Sequence, residues 1–136
     1  MPSASLIKEF EQLVGKENVF SSEADRQSYA YDAAVLKPMI PSLVVRPTEV
    51  EQLGQVVKRC YEEGIPMTVR GSGTNLTGGT IPDCSDTIVI LTTGLNKILE
   101  INTEDLYATV QPGVITAKFA AAVAALPLRG QLSGHQ

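Results

Sequence analysis

The chain has 136 residues, of which 43% are hydrophobic and 19% charged, and a formal net charge of -4. That length suits one domain with a real core rather than two, and with no low-complexity tract the chain belongs among globular proteins. The acidic balance, with no Lys/Arg cluster, argues against nucleic acid as a partner, because phosphate backbones are bound by basic faces.

The amino terminus does not read as a signal peptide, since Leu6 and Ile7 are followed at once by Lys8 and Glu9. The longest apolar run, Phe119 to Leu126, is far below a bilayer span and ends at Pro127, so no transmembrane segment is expected. Cys60 and Cys84 are the only cysteines and lack the spacing of a disulfide scaffold or a zinc site. The one histidine, His135, cannot by itself anchor a catalytic triad or a metal centre. No metal is expected and the catalytic residues remain unknown. Redox or group-transfer chemistry would have to come from a bound cofactor or from protein outside these residues.

In chain order, Leu6, Ile7, Phe10, Leu13 and Val14 share one face of a first helix that Gly15 stops. Ser22 and Asp25 have capping-box spacing for a short second helix, followed by an irregular stretch in which Tyr29 and Tyr31 read as packing residues. Leu43-Val44-Val45 reads as a buried strand ended by Pro47, and Thr48 with Glu51 as the capping box of the next helix. Val50, Leu53, Val56, Val57, Cys60 and Tyr61 form that helix's apolar stripe, with Gly64 just past its end. Met67 to Arg70 is a further strand, so 43–70 is a βαβ unit whose right-handed crossover lays both strands parallel in one sheet. Thr87 to Leu91 is apolar enough for a central strand. A hairpin follows, with Leu99 and Ile101 alternating on one arm, Leu106, Ala108 and Val110 on the other, and Thr103-Glu104-Asp105 as its turn. Pro112-Gly113 closes the second arm, and a last helix poor in large side chains runs from about Thr116 to Leu126.

The run Arg70-Gly71-Ser72-Gly73-Thr74-Asn75-Leu76-Thr77-Gly78-Gly79 leaves the carboxyl end of the Met67–Arg70 strand, where open α/β sheets place ligands. Glycines allow close backbone approach, so successive N–H groups can converge on diphosphate oxygens, with Ser72, Thr74 and Asn75 adding short polar side chains. It is neither a P-loop, since no Lys follows Gly78, nor the dinucleotide fingerprint, since Leu76 stands at the third glycine and Gly78, Gly79 and Pro82 break any long helix. A plain glycine-rich surface turn joining two strands is the competing reading.

Together, Val44-Val45-Arg46-Pro47-Thr48, Gly64-Ile65-Pro66, the glycine run, Leu95-Asn96-Lys97-Ile98 and Val110-Gln111-Pro112-Gly113-Val114 resemble, in order and spacing, the FAD-binding domain of the vanillyl-alcohol oxidase (PCMH) type. The wording is most similar to the branch containing the bacterial glycolate oxidase catalytic subunits and the FAD-linked D-lactate dehydrogenases. This resemblance implies an α+β fold, with an amino-terminal βαβ subdomain and the start of a second, mainly antiparallel one. Residues 1–42 would be a helical lead-in, 43–126 a partial FAD-binding domain, and 127–136 a non-family tail marking a truncated or frame-shifted, incomplete product.

By the same resemblance, Gly71, Ser72, Gly73, Thr74 and Asn75, with Gly78 and Gly79, wrap the FAD pyrophosphate. Pro47 lies by the adenine half, and Gln111, Pro112, Gly113 and Val114 border the cofactor. Arg70 is carried over with them, although an arginine there would equally stabilise the loop or pair with Asp32 or another carboxylate. Some relatives attach flavin covalently through a His where this chain has Thr74, so the FAD is expected to be non-covalent. The implied activity is oxidation of a small 2-hydroxy acid of the glycolate or D-lactate type to the 2-oxo acid. The protein would be cytoplasmic, with an iron–sulfur electron-transfer subunit as a possible partner that could hold it at the inner membrane. The alternatives are a non-catalytic FAD- or nucleotide-binding fragment and a relative of the sugar-nucleotide flavin reductases.

Overall fold

The computed structural model describes residues 1–34 and 36–126. Helix α1 (Ala4–Val14) begins where the Ser3 hydroxyl accepts the Leu6 N–H and ends at Gly15, whose N–H bonds the Glu11 carbonyl. A single 3-10 turn (Lys16–Asn18) leads into a two-residue strand, β1 (Val19–Phe20), and the short helix α2 (Glu23–Gln27) follows. Ser22 caps α2, accepting the Asp25 N–H and donating its hydroxyl to the Asp25 carboxylate, as the Ser22/Asp25 spacing predicts.

Strand β2 (Leu43–Val45), helix α3 (Val50–Glu62), and strands β3 (Met67–Arg70) and β4 (Ile88–Leu91) form the centre of the fold. The sheet order is β1-β2-β4-β3, with β2 and β3 both parallel to β4 and β1 antiparallel at the edge. The βαβ unit is therefore present, but β4 is inserted between its two strands.

Strict alternation sorts the sheet residues onto two faces. Leu43, Val45, Ile88 and Ile90 meet Leu6, Phe10 and Val14 of α1 and Val56 and Cys60 of α3, forming the larger core. Val44, Val89 and Leu91 face the other way, where Phe20 and Tyr29 cover them. Helix α1 and the Val19 to Tyr29 stretch thus pack into the same two cores as the strands that follow.

Two details of α3 differ from expectation. The capping box is one residue further on, with Glu49 as N-cap and Gln52 returning to the Thr48 and Glu49 N–H groups. Pro47 is buried with its carbonyl against Gly94, which fixes where the chain can enter the helix. The buried stripe is also narrower than the sequence suggests: Leu53, Val56 and Cys60 face the core, while Val50 is 58% exposed and Tyr61 81%. Gly64 ends α3 in a Schellman motif, with its N–H on the Tyr61 carbonyl and the Ile65 N–H on Cys60's.

Strands β5 (Ile98–Asn102) and β6 (Tyr107–Val110) form a separate antiparallel hairpin, with a register irregularity between Ile98 and Glu100. Its turn is tied by the Asn102 side chain, which accepts the Glu104 and Asp105 N–H groups, and Leu106, expected in the strand, sits in the turn at φ 58. Helix α4 (Thr116–Ala124) ends earlier than the sequence suggests, and none of its side chains is fully buried. The expected 127–136 tail lies outside the described residues.

Candidate functional site

Strands β2, β3 and β4 end together, and the connections leaving them meet the segment after β6 at one edge of the sheet. A cleft of about 400 Å³ lies there. Gly71, Ser72 and Thr74 form one side, Thr93 and Asn96 the floor, and Pro112 to Val114 with the first turn of α4 the other. This brings together six residues picked out in the sequence: Gly71, Ser72, Thr74, Pro112, Gly113 and Val114. It adds Thr93, Asn96, Ile115, Thr116 and Ala117, of which Asn96 lies in a motif that carried the resemblance but received no role.

The other predicted residues are placed differently. Gly73 is the turn of the loop at φ 75, and a methyl group there would overlap the guanidinium of Arg70. Arg70 is only 7% exposed, donates to the Tyr31 carbonyl, and lies 5.5 Å from the Tyr29 ring centroid. Asn75 points away from the cleft and donates to Asp32 at 2.7 Å. Gly78 abuts Leu36, and Gly79 lies beyond it, off the cleft. Gln111 gives its side-chain oxygen to the Lys97 N–H. Tyr29 packs on Phe20 as expected, but Tyr31 is 57% exposed and serves through its backbone.

The cleft's electrostatics run against the overall charge of the chain. None of the 15 acidic residues lines it. Arg46 and Arg70, at the ends of β2 and β3, are absent from every ion pair among the described residues, which involve Met1, Lys58, Arg59 and Lys97. Arg46 instead donates to Thr93 and to the Asn18 side chain. Helix α4 begins without a side-chain cap, and its first helical bond is Phe119 N–H to the Ile115 carbonyl. The N–H groups of Thr116, Ala117 and Lys118 therefore lack intrahelical partners at the positive end of the helix dipole.

Glycine also sets how closely the walls approach. A methyl group at Gly113 would overlap the Thr92 carbonyl oxygen, so this residue seats the hairpin on the end of β4. Its N–H donates to the Leu95 carbonyl at 2.7 Å. Behind the loop, burial works against the charge of Asp32, but hydrogen bonds from the Ala34 N–H, Thr80 and Asn75 outweigh it and hold the carboxyl below its ordinary value.

A roomier cleft, about 490 Å³, lies between α1 and α3. The ion pairs of Arg59 with Glu9 and Glu62 line it, away from the sheet edge, and it reads as a gap between two charged helix flanks.

Comparison with known proteins bears on this geometry. The family described as FAD binding domain matches residues 41–134, a range that runs on into the segment expected to be a non-family tail. Glycolate oxidase subunit GlcD of Bacillus subtilis (strain 168) is 43% identical over 112 residues, 82% of this chain and 24% of that protein. D-lactate dehydrogenase of Anaerostipes hadrus is 29% identical over 110 residues, 81% of this chain and 23% of the relative. Among solved structures, p-cresol methylhydroxylase with substrate bound superposes with a TM-score of 0.79 at 28% identity, covering 88% of this chain and 24% of that one. The chain spans about a quarter of the length of the curated relatives it matches.

Proposed function

Because the chain belongs to the FAD-binding domain family, we propose that its cleft holds the diphosphate of a non-covalently bound FAD. The carrying observation is the convergence, in one cleft free of carboxylates, of the glycine loop and the uncapped amino terminus of α4. Backbone N–H groups and a helix dipole form a ready-made site for a diphosphate. Arg70, buried beneath Gly73 without a carboxylate partner among the described residues, adds positive potential from below.

In this reading Gly71, Ser72 and Thr74 donate from one side, with Gly73 as the turn between them, Thr116 and Ala117 donate from the other, and Pro112 to Val114 border the remainder of the cofactor. Pro47, Asn75, Gly78, Gly79 and Gln111 act through the shape of the site, a reading supported for Pro47, Asn75, Gly78 and Gln111 by their contacts away from the cleft. Thr74 offers a hydroxyl where covalent attachment would need an imidazole, which supports a dissociable flavin.

Bound FAD supplies the capacity to accept a hydride. The lining offers hydroxyls, one side-chain amide and backbone N–H groups, but no carboxylate or imidazole to take a hydroxyl proton. In this reading the cleft residues bind and orient the cofactor. The substrate is a small 2-hydroxy acid of the glycolate or D-lactate type, a reading supported by the identity with the glycolate oxidase subunit. That relative's being a subunit supports a partner chain, and our reading makes that partner an iron–sulfur electron-transfer subunit. No helix among the described residues is long and apolar enough to cross a membrane.

The test is flavin retention. The chain is loaded with FAD, desalted and scanned in the visible region beside Gly73→Leu, and then precipitated with acid. Flavin kept by the parent, lost in the variant and released to the acid supernatant is the expected result. Equal retention by both would refute the cleft assignment, and flavin remaining in the acid pellet would refute non-covalent binding.

A further inference from the structure

The connection from Gly71 to Thr87 contains no helix or strand, yet the parts of it nearest the cleft are tied down from behind by one short segment, Tyr29 to Asp32. Its first half is held through Arg70, whose guanidinium donates to the Tyr31 carbonyl, lies over the Tyr29 ring and fills the space under Gly73. Its second half is held through Asp32. One carboxylate oxygen accepts the Ala34 N–H at 2.7 Å, which fixes the orientation of the group. The other accepts from the Asn75 side chain at 2.7 Å and the Thr80 hydroxyl at 3.1 Å. The same Thr80 hydroxyl lies 3.2 Å from the Asn75 side-chain oxygen, so its one proton is offered to either Asp32 or Asn75.

Asn75 and Thr80 bracket Leu76 to Gly79, so one carboxylate pins both ends of the loop's outer arm while Leu76 projects into solvent, 77% exposed. Without that anchor, a long connection rich in glycine would sample many shapes and lose entropy each time it closed on a ligand. With it, Gly71, Ser72 and Thr74 are left facing the cleft with their backbone shape already set.

We propose that Asp32 is the positioning residue of the binding loop: it touches no ligand, and through Asn75 and Thr80 it holds the glycine-rich connection in the shape that receives the cofactor diphosphate. This rests on the FAD reading above, and the experiment separates the two. Chymotrypsin cleavage after the exposed Leu76 is timed without flavin on the full chain and on Asp32→Ala, Asn75→Ala and the double variant, and FAD affinity is then read from quenching of flavin fluorescence. Loss of charge-assisted bonds predicts cleavage after Leu76 faster by about tenfold or more in Asp32→Ala, with sites in β2 and β4 still resistant, and FAD affinity lower by about the same factor. The double variant should be no worse than the worse single one, because both remove the same tie. Thr80→Val, which removes one donor but leaves the carboxylate, should fall between parent and Asp32→Ala. Unchanged cleavage after Leu76, or fully additive losses, would overturn the proposal. So would faster cleavage throughout the sheet, if Thr80→Val shows the same global loss. A parent that takes up no flavin would refute the binding reading instead, and cleavage after Leu76 would still decide whether Asp32 fixes the loop.

Discussion

Replacing Gly113 with alanine tests how the hairpin is seated on the sheet. The added methyl would overlap the Thr92 carbonyl oxygen and lie 2.7 Å from its carbon and 2.8 Å from the Leu95 carbonyl oxygen. All three atoms are backbone, so no side chain can swing aside. Thr92 is itself tethered, with its N–H and hydroxyl both on the Arg70 carbonyl. The hairpin must therefore withdraw by more than about 1 Å to restore ordinary contact. That movement strains or breaks the Gly113 N–H bond to Leu95, worth about 1 kcal/mol, on top of about 1–3 kcal/mol for overpacking. A total of about 2–4 kcal/mol corresponds to a fall in Tm of roughly 8–16 °C for a chain of this size. Differential scanning calorimetry reads the shift, and hydrogen exchange locates it: protection should fall at Leu95 and Lys97 first and persist at Val89 and Ile90. A melting temperature within about 2 °C of the parent, with Leu95 still protected, would refute the argument that backbone contact requires glycine here.

Three other outcomes are expected. Gly54→Ala should raise stability by about 1 kcal/mol in urea denaturation, because Gly54 lies inside α3 with nothing within 4 Å of an added methyl; no gain would mean that α3 is not an ordinary helix there. Of the two thiols, Cys84 should react with an aromatic disulfide reagent in the folded protein, while Cys60, fully buried and pushed up to about 11, should react only on unfolding. Since folding favours the protonated Cys60 thiol, its contribution is intact below pH 9 and is lost as pH rises from there toward 11. A Cys60→Ser variant should lack that alkaline loss, and its persistence there would assign it to another group.

The elements legible in the sequence were those whose signals are local. The face Leu6, Phe10, Val14 with its Gly15 stop, the apolar run of β4 and the Gly64 terminus of α3 each follow from a few neighbouring residues. What escaped was set by distant pairing. Val19 and Phe20 become a strand only because β2 offers an edge, and nothing within the 43–70 segment says that Ile88 to Leu91 will slip between its strands. The outward turn of Val50 and Tyr61 has the same origin, since which side of α3 is buried depends on where α1 lies. At the cleft, the glycine loop was visible as composition. The inward turn of Asn75 was not, because it depends on Asp32, more than forty positions earlier in the chain. The start of α4 could have been added from sequence, since its helical pattern follows directly on Val114 and a helix opening beside a glycine loop is an anion-binding arrangement.

The insertion of β4 between β2 and β3 also governs how the chain assembles. Leu43 pairs with Ile88 and Met67 pairs with the same residue, so neither earlier strand has a parallel partner until β4 arrives. During synthesis, α1, β2, α3 and β3 emerge with their main apolar surfaces still waiting for residues 88–91, and only then can the sheet zip from its middle outward. The glycine-rich connection is the last length of chain to emerge before that step. Its closure brings β4 home, so the glycine-rich loop takes shape in the same event that completes the sheet. Lengthening it should therefore slow folding.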